Sequence, residues 1–191
     1  MSNIAIFASG SGTNAENIIR YFSTRNTATV SLVLSNKRHA LVLKRAEDNN
    51  VRAVFFEHAD FYNTGKVLEL LEVNRIDFIV LAGFLWLVPE NIIERYKGRI
   101  INIHPALLPS YGGKGMYGEA VHKAVISNRE KVSGITIHYV NKFYDEGDII
   151  FQARCSVDAG DTAESLATKI HSLEYRYFPE VIEDLVKKLP V

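Results

Sequence analysis

Asn3-Ile4-Ala5-Ile6-Phe7-Ala8-Ser9-Gly10-Ser11-Gly12-Thr13-Asn14 is the stretch that decides the fold. Residues 3–8 are almost wholly apolar, which suits a strand buried on both faces better than one half in water. A glycine-rich turn then leads into a helical stretch from about Ala15 to Phe22. Thr13 and Glu16 have the spacing of a capping box, so the helix is predicted to start there. A buried strand that turns directly into a helix opens a strand–helix–strand unit, and with it a parallel sheet.

Outward from this stretch the alternation continues. Thr29–Leu34 reads as a strand, Leu41–Asp48 as a helix, Ala53–Phe56 as a strand and Lys66–Val73 as a helix. Asp77–Ala82 is a strongly apolar strand broken by Gly83. Pro89 suits a helix N1 position, opening a helix to about Tyr96. Ile100-Ile101-Asn102-Ile103-His104-Pro105 is a fifth strand, ended by a proline that cannot donate to a sheet ladder. Pro105 to Gly118 holds two prolines and several glycines and reads as a long mobile loop, followed by a helix near Glu119–Ser127. Strands at Gly134–Val140 and Ile149–Val157 are joined through Asn141–Asp148. Asp161-Thr162-Ala163-Glu164 should start a long last helix, bent or split at Pro179. The expected fold is α/β: three layers around a mostly parallel sheet of about seven strands, with right-handed crossovers and a Rossmann-like N-terminal half.

With 191 residues the chain is one domain of ordinary size, and its 22 basic and 22 acidic residues cancel. Global charge therefore points to neither a nucleic acid nor a membrane surface, and an anionic ligand must be held by local features. Cys155, the only cysteine, excludes an internal disulfide framework and a cysteine-based zinc site. Met1-Ser2-Asn3-Ile4 lacks the basic and apolar regions of a signal peptide, and no apolar run approaches the roughly 20 residues that span a bilayer. A cytoplasmic protein is expected.

Three places are able to carry chemistry. The Gly10–Asn14 turn presents free N–H groups and the positive end of a helix dipole, which suits an anion. Gly10, Gly12 and Ala15 also fit the loose dinucleotide fingerprint G-x-G-x-x-G/A, and Lys37-Arg38 would suit a 2′-phosphate, so an NADP-binding domain is an alternative. On the fifth strand, Asn102 and His104 share one face at roughly 6.5–7 Å, room for a carbonyl-sized group between an amide donor and an imidazole. An acid such as Asp145, brought beside His104, would fix its tautomer and favour its protonated form. Gly83-Phe84-Leu85-Trp86-Leu87-Val88 follows a buried strand at the end where open α/β sheets place ligands. It is able to take a flat ring, or simply to cover the core. His39, His58, His122, His138 and His171 lack convincing metal-ligand spacing, so no metal is expected.

Five segments together carry a resemblance. They are Gly10-Ser11-Gly12-Thr13-Asn14; Leu81-Ala82-Gly83-Phe84; Ile101-Asn102-Ile103-His104-Pro105-Ala106-Leu107-Leu108-Pro109; Gly134-x-Thr136-Ile137-His138; and Asp145-x-Gly147-x-Ile149-Ile150-x-Gln152. In this order, over nearly the whole chain, they resemble the glycinamide ribonucleotide formyltransferases of purine synthesis that use 10-formyltetrahydrofolate. The resemblance implies one domain over 1–191, with 1–100 as a nucleotide- or phosphate-binding half and 101–191 as a catalytic and folate-binding half. It implies His104 as general acid/base, Asn102 as oxyanion donor, and Asp145 as the group that holds and polarises the histidine. Gly12, Thr13, Asn14, His171, Ser172, Leu173 and Glu174 would meet the ribonucleotide. Leu85, Trp86, Leu87, Val88, Asn102 and Asn141, Lys142, Phe143, Tyr144 and Asp145 would meet the folate. The expected partners are these small molecules, with no nucleic acid, no membrane and a homodimer left open. The loop Tyr111–Gly118 is longer and richer in glycine than is usual in this family. Thr64 stands where some relatives carry an arginine, and Lys142 where the residue is often acidic or apolar. A formyltetrahydrofolate hydrolase, a formyltransferase on another amine and a non-catalytic folate-binding module are the competing expectations.

Overall fold

In the computed structural model, which describes residues 1–189, seven strands form one sheet. The chain runs β1 (Ser2–Phe7), α1 (Thr13–Ser23), β2 (Ala28–Ser35), α2 (Leu41–Asp48), β3 (Arg52–Phe55), α3 (His58–Tyr62), α4 (Lys66–Val73), β4 (Phe78–Leu81), α5 (Glu90–Arg95) and β5 (Ile100–His104). It continues through α6 (Glu119–Ser127), β6 (Val132–Tyr139), β7 (Ile149–Ser156) and α7 (Ala163–Val186). The strand order is β3-β2-β1-β4-β5-β6-β7. Pairings from β3 to β5 are parallel, and those of β5 with β6 and β6 with β7 are antiparallel. The short connection from Val140 to Asp148 is too brief for a crossover, so β6 and β7 pair antiparallel.

Alternation along the strands sorts the core into two layers. Ile4, Ile6, Ile101 and Ile103 pack with Ile18 and Phe22 of α1 and Phe178 and Ile182 of α7. Ala5, Phe7, Ile79 and Ile100 face the other way, onto Phe61, Leu71, Ile92 and Tyr96. The order also puts a switch point between β1 and β4, where the chain leaves in opposite directions and a crevice opens beyond the carboxyl ends. Ser9 closes the floor of this crevice. Its N–H donates to Gly83 O at 2.9 Å, and its Oγ donates to Asn36 Oδ1 at 2.7 Å and accepts from Leu85 N at 3.0 Å.

Four local expectations need correction. Thr13 and Glu16 form no capping box; α1 is capped by Gly12 in the left-handed region (φ 75°), and Glu16 pairs instead with Arg20 and Arg45. Pro89 is the residue before α5, not its first. A short helix, α3, stands where no element was expected, closed by reciprocal bonds between Glu57 and Asp60. Finally, α7 is not split: it runs 24 residues with Pro179 buried inside. A proline there cannot donate to Tyr175 O, four residues back. Asn17 of α1 fills the gap, its Nδ2 donating to Tyr175 O at 2.9 Å.

Candidate active site

The site grows from β5 and its antiparallel neighbour. Register sets His138 opposite Asn102 and Thr136 opposite His104, so the four side chains share one face. Thr136 Oγ1 donates to Ala106 O at 2.7 Å and accepts from Leu108 N at 3.0 Å and Gln152 Nε2 at 2.8 Å. Thr136 and Gln152 thus hold the loop that leaves His104, which accounts for their place in the sequence motifs. The motif glycines have an equally local cause. A Cβ at Gly134 would collide with the carbonyl of Ala153, and one at Gly147 with the carbonyl of Tyr139. Close packing at Gly147 presses the turn after β6 against the sheet and carries Asp145 (φ 56°) to the site.

Asp145 joins the group. Its Oδ2 lies 3.5 Å from His104 Nδ1 and accepts from Gly113 N–H at 2.9 Å. Its Oδ1 lies 3.4 Å from Asn102 Nδ2 and 3.6 Å from His138 Nε2. The carbonyl of Tyr139, 2.8 Å from His138 Nδ1, requires a proton on that nitrogen and leaves Nε2 to accept from Asn102 Nδ2 at 3.1 Å. Both amide protons of Asn102 therefore meet acceptors, and the 3.4 Å contact to Asp145 is the weaker one. His104 Nε2 points at Tyr111 O, 2.7 Å away.

Electrostatics sets the charge states. Burial lowers the pKa of His104, outweighing Asp145 and the Tyr111 carbonyl, so the ring is neutral near pH 7. For Asp145 burial acts upward, but the neighbouring His138 and His104 rings and the Gly113 N–H together hold the carboxyl below its usual range. A neutral base thus stands beside a fixed carboxylate and an amide donor.

These groups open onto a cavity of about 540 Å³ over the switch point, walled by residues 10–14, 82–85, 102–105 and 113–118, with His122, Tyr144, Asp145, His171 and Glu174. One end is the start of α1. Glu16 N–H is the first to reach a carbonyl, Gly12 O at 2.9 Å, so those of Thr13, Asn14 and Ala15 are free to bind an anion. The turn is held from outside by Arg45, whose Nε donates to Ser11 O at 2.9 Å while its guanidinium pairs with Glu16. Asn14 Nδ2 donates to Glu174 Oε2 at 2.9 Å, and Asn14 Oδ1 is buried with no partner among the described residues. Burial pushes Glu174 up to about 7 against the pull of that hydrogen bond. A second cavity of about 50 Å³ adjoins the first and shares Phe84, Asn102, Tyr144 and Asp145 with it. Its other walls are apolar and aromatic: Leu81, Trp86, Leu87, Val88, Val140 and Phe143, with His138.

The sequence-predicted residues therefore divide. Asn102, His104 and Asp145 meet, as do Gly12, Thr13, Asn14, His171 and Glu174 around the larger cavity. Leu85 lines the larger cavity; Trp86, Leu87, Val88 and Phe143 line the smaller one, and Tyr144 both. Ser172 and Leu173 line neither: Ser172 Oγ bonds Thr168 O at 3.0 Å, and Leu173 packs on the core. Helical spacing explains this, because His171 and Glu174 are three apart and point one way. Asn141 and Lys142 also line neither; Asn141 Oδ1 accepts from Phe143 N at 2.9 Å, and Lys142 lies over the Phe143 ring. His138 and the Tyr111 carbonyl were not foreseen as direct partners of Asn102 and His104. Alternation along β6 pairs His138 with Thr136, but its meeting with Asn102 is a matter of sheet register. His122, buried and lining the cavity with Nδ1 unpartnered among the described residues, gave no signal beyond its helical position.

Two other features bear on the alternatives. The space above Gly12 is taken by Val42 of α2, not left for a close-lying pyrophosphate, and Arg38 pairs with Glu57 at 3.4 Å. Among the described residues no three His, Cys, Asp or Glu side chains are grouped to hold a metal ion, and no helix is long and apolar enough to cross a membrane.

Comparison with known proteins gives a consistent picture. The family described as formyl transferase matches residues 2–182. The chain is 36% identical over 191 residues to the phosphoribosylglycinamide formyltransferase of Bacillus subtilis, covering 97% of this chain and 95% of that protein. It is 37% identical to the chloroplastic phosphoribosylglycinamide formyltransferase of Arabidopsis thaliana, covering 94% of this chain and 63% of that longer one. A solved structure, glycinamide ribonucleotide transformylase 1 from Symbiobacterium toebii, superposes with a TM-score of 0.89 at 34% identity, over 98% of this chain and 88% of its own.

Proposed function

The chain belongs to the formyl transferase family, and from that premise we infer that it transfers the formyl group of 10-formyltetrahydrofolate to the amine of 5′-phosphoribosylglycinamide in purine biosynthesis. The observation that carries this reading is the meeting of a neutral His104, an ionised Asp145 and the Asn102 amide between an anion-ready helix start and an apolar side cavity. The smaller, aromatic cavity suits the flat pterin, and the start of α1 suits the phosphate. Asn14 Oδ1 and Glu174 line the same cavity beside the helix start and would suit the hydroxyl donors of the ribose.

The chemistry follows. The glycinamide nitrogen bonds to the formyl carbon, and its carbonyl oxygen becomes an oxyanion. Asn102 releases its long contact with Asp145 and donates to that oxygen. The proton of the incoming nitrogen passes through His104, directly or through a water, to the folate nitrogen as the carbon–nitrogen bond to the folate breaks. Asp145 keeps the imidazole oriented and offsets the charge it takes on.

The test is tetrahydrofolate release from 10-formyltetrahydrofolate by purified protein, with and without the ribonucleotide. Release that requires the ribonucleotide is expected. Equal release without it would make the protein a hydrolase, and no release in either case would remove the assignment.

A further inference from the structure

The larger cavity has an imbalance of charge. Its walls carry two carboxylic side chains, Asp145 and Glu174, and it is proposed to receive a phosphate monoester of charge about −1.5 to −2 at pH 7. The histidines do not supply the missing positive charge. Burial lowers the pKa of His104, His122 and His171. Arg45, behind the α1 turn, is committed to Glu16 and to Ser11 O and lies outside the lining. One lysine or arginine remains in the wall: Lys114, exposed and without a carboxylate partner among the described residues.

Its setting suits a group that moves onto a ligand. Lys114 stands between Gly113 (φ 96°) and Gly115 (φ 90°), with Gly118 (φ 51°) further on, and a Cβ at any of the three would meet nothing within 4 Å. These glycines are therefore not demanded by packing; they leave the segment left-handed turns and freedom to swing. The loop also touches the chemistry at its base, through Gly113 N–H on Asp145 and Tyr111 O on His104. Residues 113–118 and the α1 start both line the larger cavity, and neither lines the smaller, aromatic one. The loop thus walls the same cavity as the α1 start.

We propose that Lys114 is a phosphate-binding residue, brought by the 113–118 loop onto the phosphate of the ribonucleotide opposite the N–H groups of α1. This rests on the activity inferred above. The helix start supplies directed hydrogen bonds, and Lys114 supplies the full positive charge that the wall otherwise lacks.

The test is steady-state kinetics of the full chain as wild type, Lys114→Gln and Lys114→Arg. Each is assayed with the ribonucleotide and with glycinamide ribonucleoside, which lacks the phosphate. Lys114→Gln is expected to raise KM for the ribonucleotide about tenfold, with kcat changed less than threefold and KM for 10-formyltetrahydrofolate unmoved. The penalty should vanish with the ribonucleoside, shrink at high salt and be largely restored by Lys114→Arg. Competitive inhibition by inorganic phosphate should weaken by a similar factor. An equal penalty on ribonucleotide and ribonucleoside would mean general damage to the loop, and a shift in the folate KM would place Lys114 on the folate's glutamate tail; either overturns the proposal, as does no change. Failure of the activity itself would look different, because the wild type would then not formylate the ribonucleotide, and phosphate binding by wild type and Lys114→Gln, measured by calorimetry, would still decide the role of Lys114.

Discussion

His104 faces an acceptor from each ring nitrogen, Tyr111 O at 2.7 Å and Asp145 Oδ2 at 3.5 Å, and both favour the protonated ring. Burial is the larger effect and lowers its pKa from 6.5. The ring therefore loses its base form only at more acid pH, and the acid limb of kcat/KM should lie below 6.5. Asp145→Asn removes the charge that supports protonation, so that limb should move further down; an upward move would contradict the assigned coupling. Asn102→Ala should lower kcat by about 10²–10³-fold as one lost oxyanion donor, and His104→Ala by about 10²–10⁴-fold. Because Asp145 acts through His104, combining Asp145→Asn with His104→Ala should cost much less than the product of the two losses. A fully multiplicative loss would separate them. Glu174 makes a second pH prediction. Its carboxyl is raised from 4.5 to about 7 in the folded chain, so the stability it contributes is whole below about 4.5 and is lost as pH rises through about 7. Glu174→Gln stays neutral throughout. It should melt close to wild type at pH 4 and be more stable by up to about 3 kcal/mol at pH 8; a gap that does not depend on pH would refute this.

Among the elements, α7 shows how a rule about one residue is overridden by a neighbour. Pro179 predicts a break, and sequence alone offers no reason to doubt it. The helix continues because Asn17, 162 residues earlier, donates to the Tyr175 carbonyl that Pro179 cannot reach, and because Phe178 and Ile182 are fixed in the core. Asn17→Ala should cost about 1 kcal/mol in urea unfolding. In a Pro179→Ala background the restored N–H can serve Tyr175, so the same change should cost clearly less. Equal costs in both backgrounds would mean that Asn17 stabilises by another route. The start of α1 is a similar case. Thr13 and Glu16 have capping-box spacing, yet Gly12 caps the helix because its left-handed turn and missing Cβ let Val42 pack against it. Glu16 is drawn to Arg45, an ion pair on another helix that spacing along one helix does not reveal.

At the scale of the molecule, one sheet joins the two halves of the chain, and α7 covers α1 from the far end of the sequence. A fragment of residues 1–100 would lack β5 beside β4 and would expose Ile4, Ile6, Ile18 and Phe22 where Phe178 and Ile182 now lie. It should show no cooperative thermal transition by circular dichroism, whereas the full chain should melt once; a sharp transition in the fragment would show two independent folding units. The ribonucleotide should raise the melting temperature of the whole chain by mass action, since residues of both α1 and α7 line the cavity proposed to hold it. What the sequence determined by itself is what depends on neighbours along the chain. Alternating and continuous apolar runs set the strands, helical spacing set α2, α4 and α6 nearly to the residue, and strand alternation put Asn102 beside His104. The motif residues were legible too, but their reasons were not: Gly134 and Gly147 are needed for backbone contacts across the sheet, and Thr136 and Gln152 for the loop after β5. Only the tertiary structure decided that His138 stands opposite Asn102, that Tyr111 O meets His104, and that Asn17 rescues α7. Those facts depend on sheet register, on loop paths and on contacts between residues up to 162 positions apart, which local spacing does not encode.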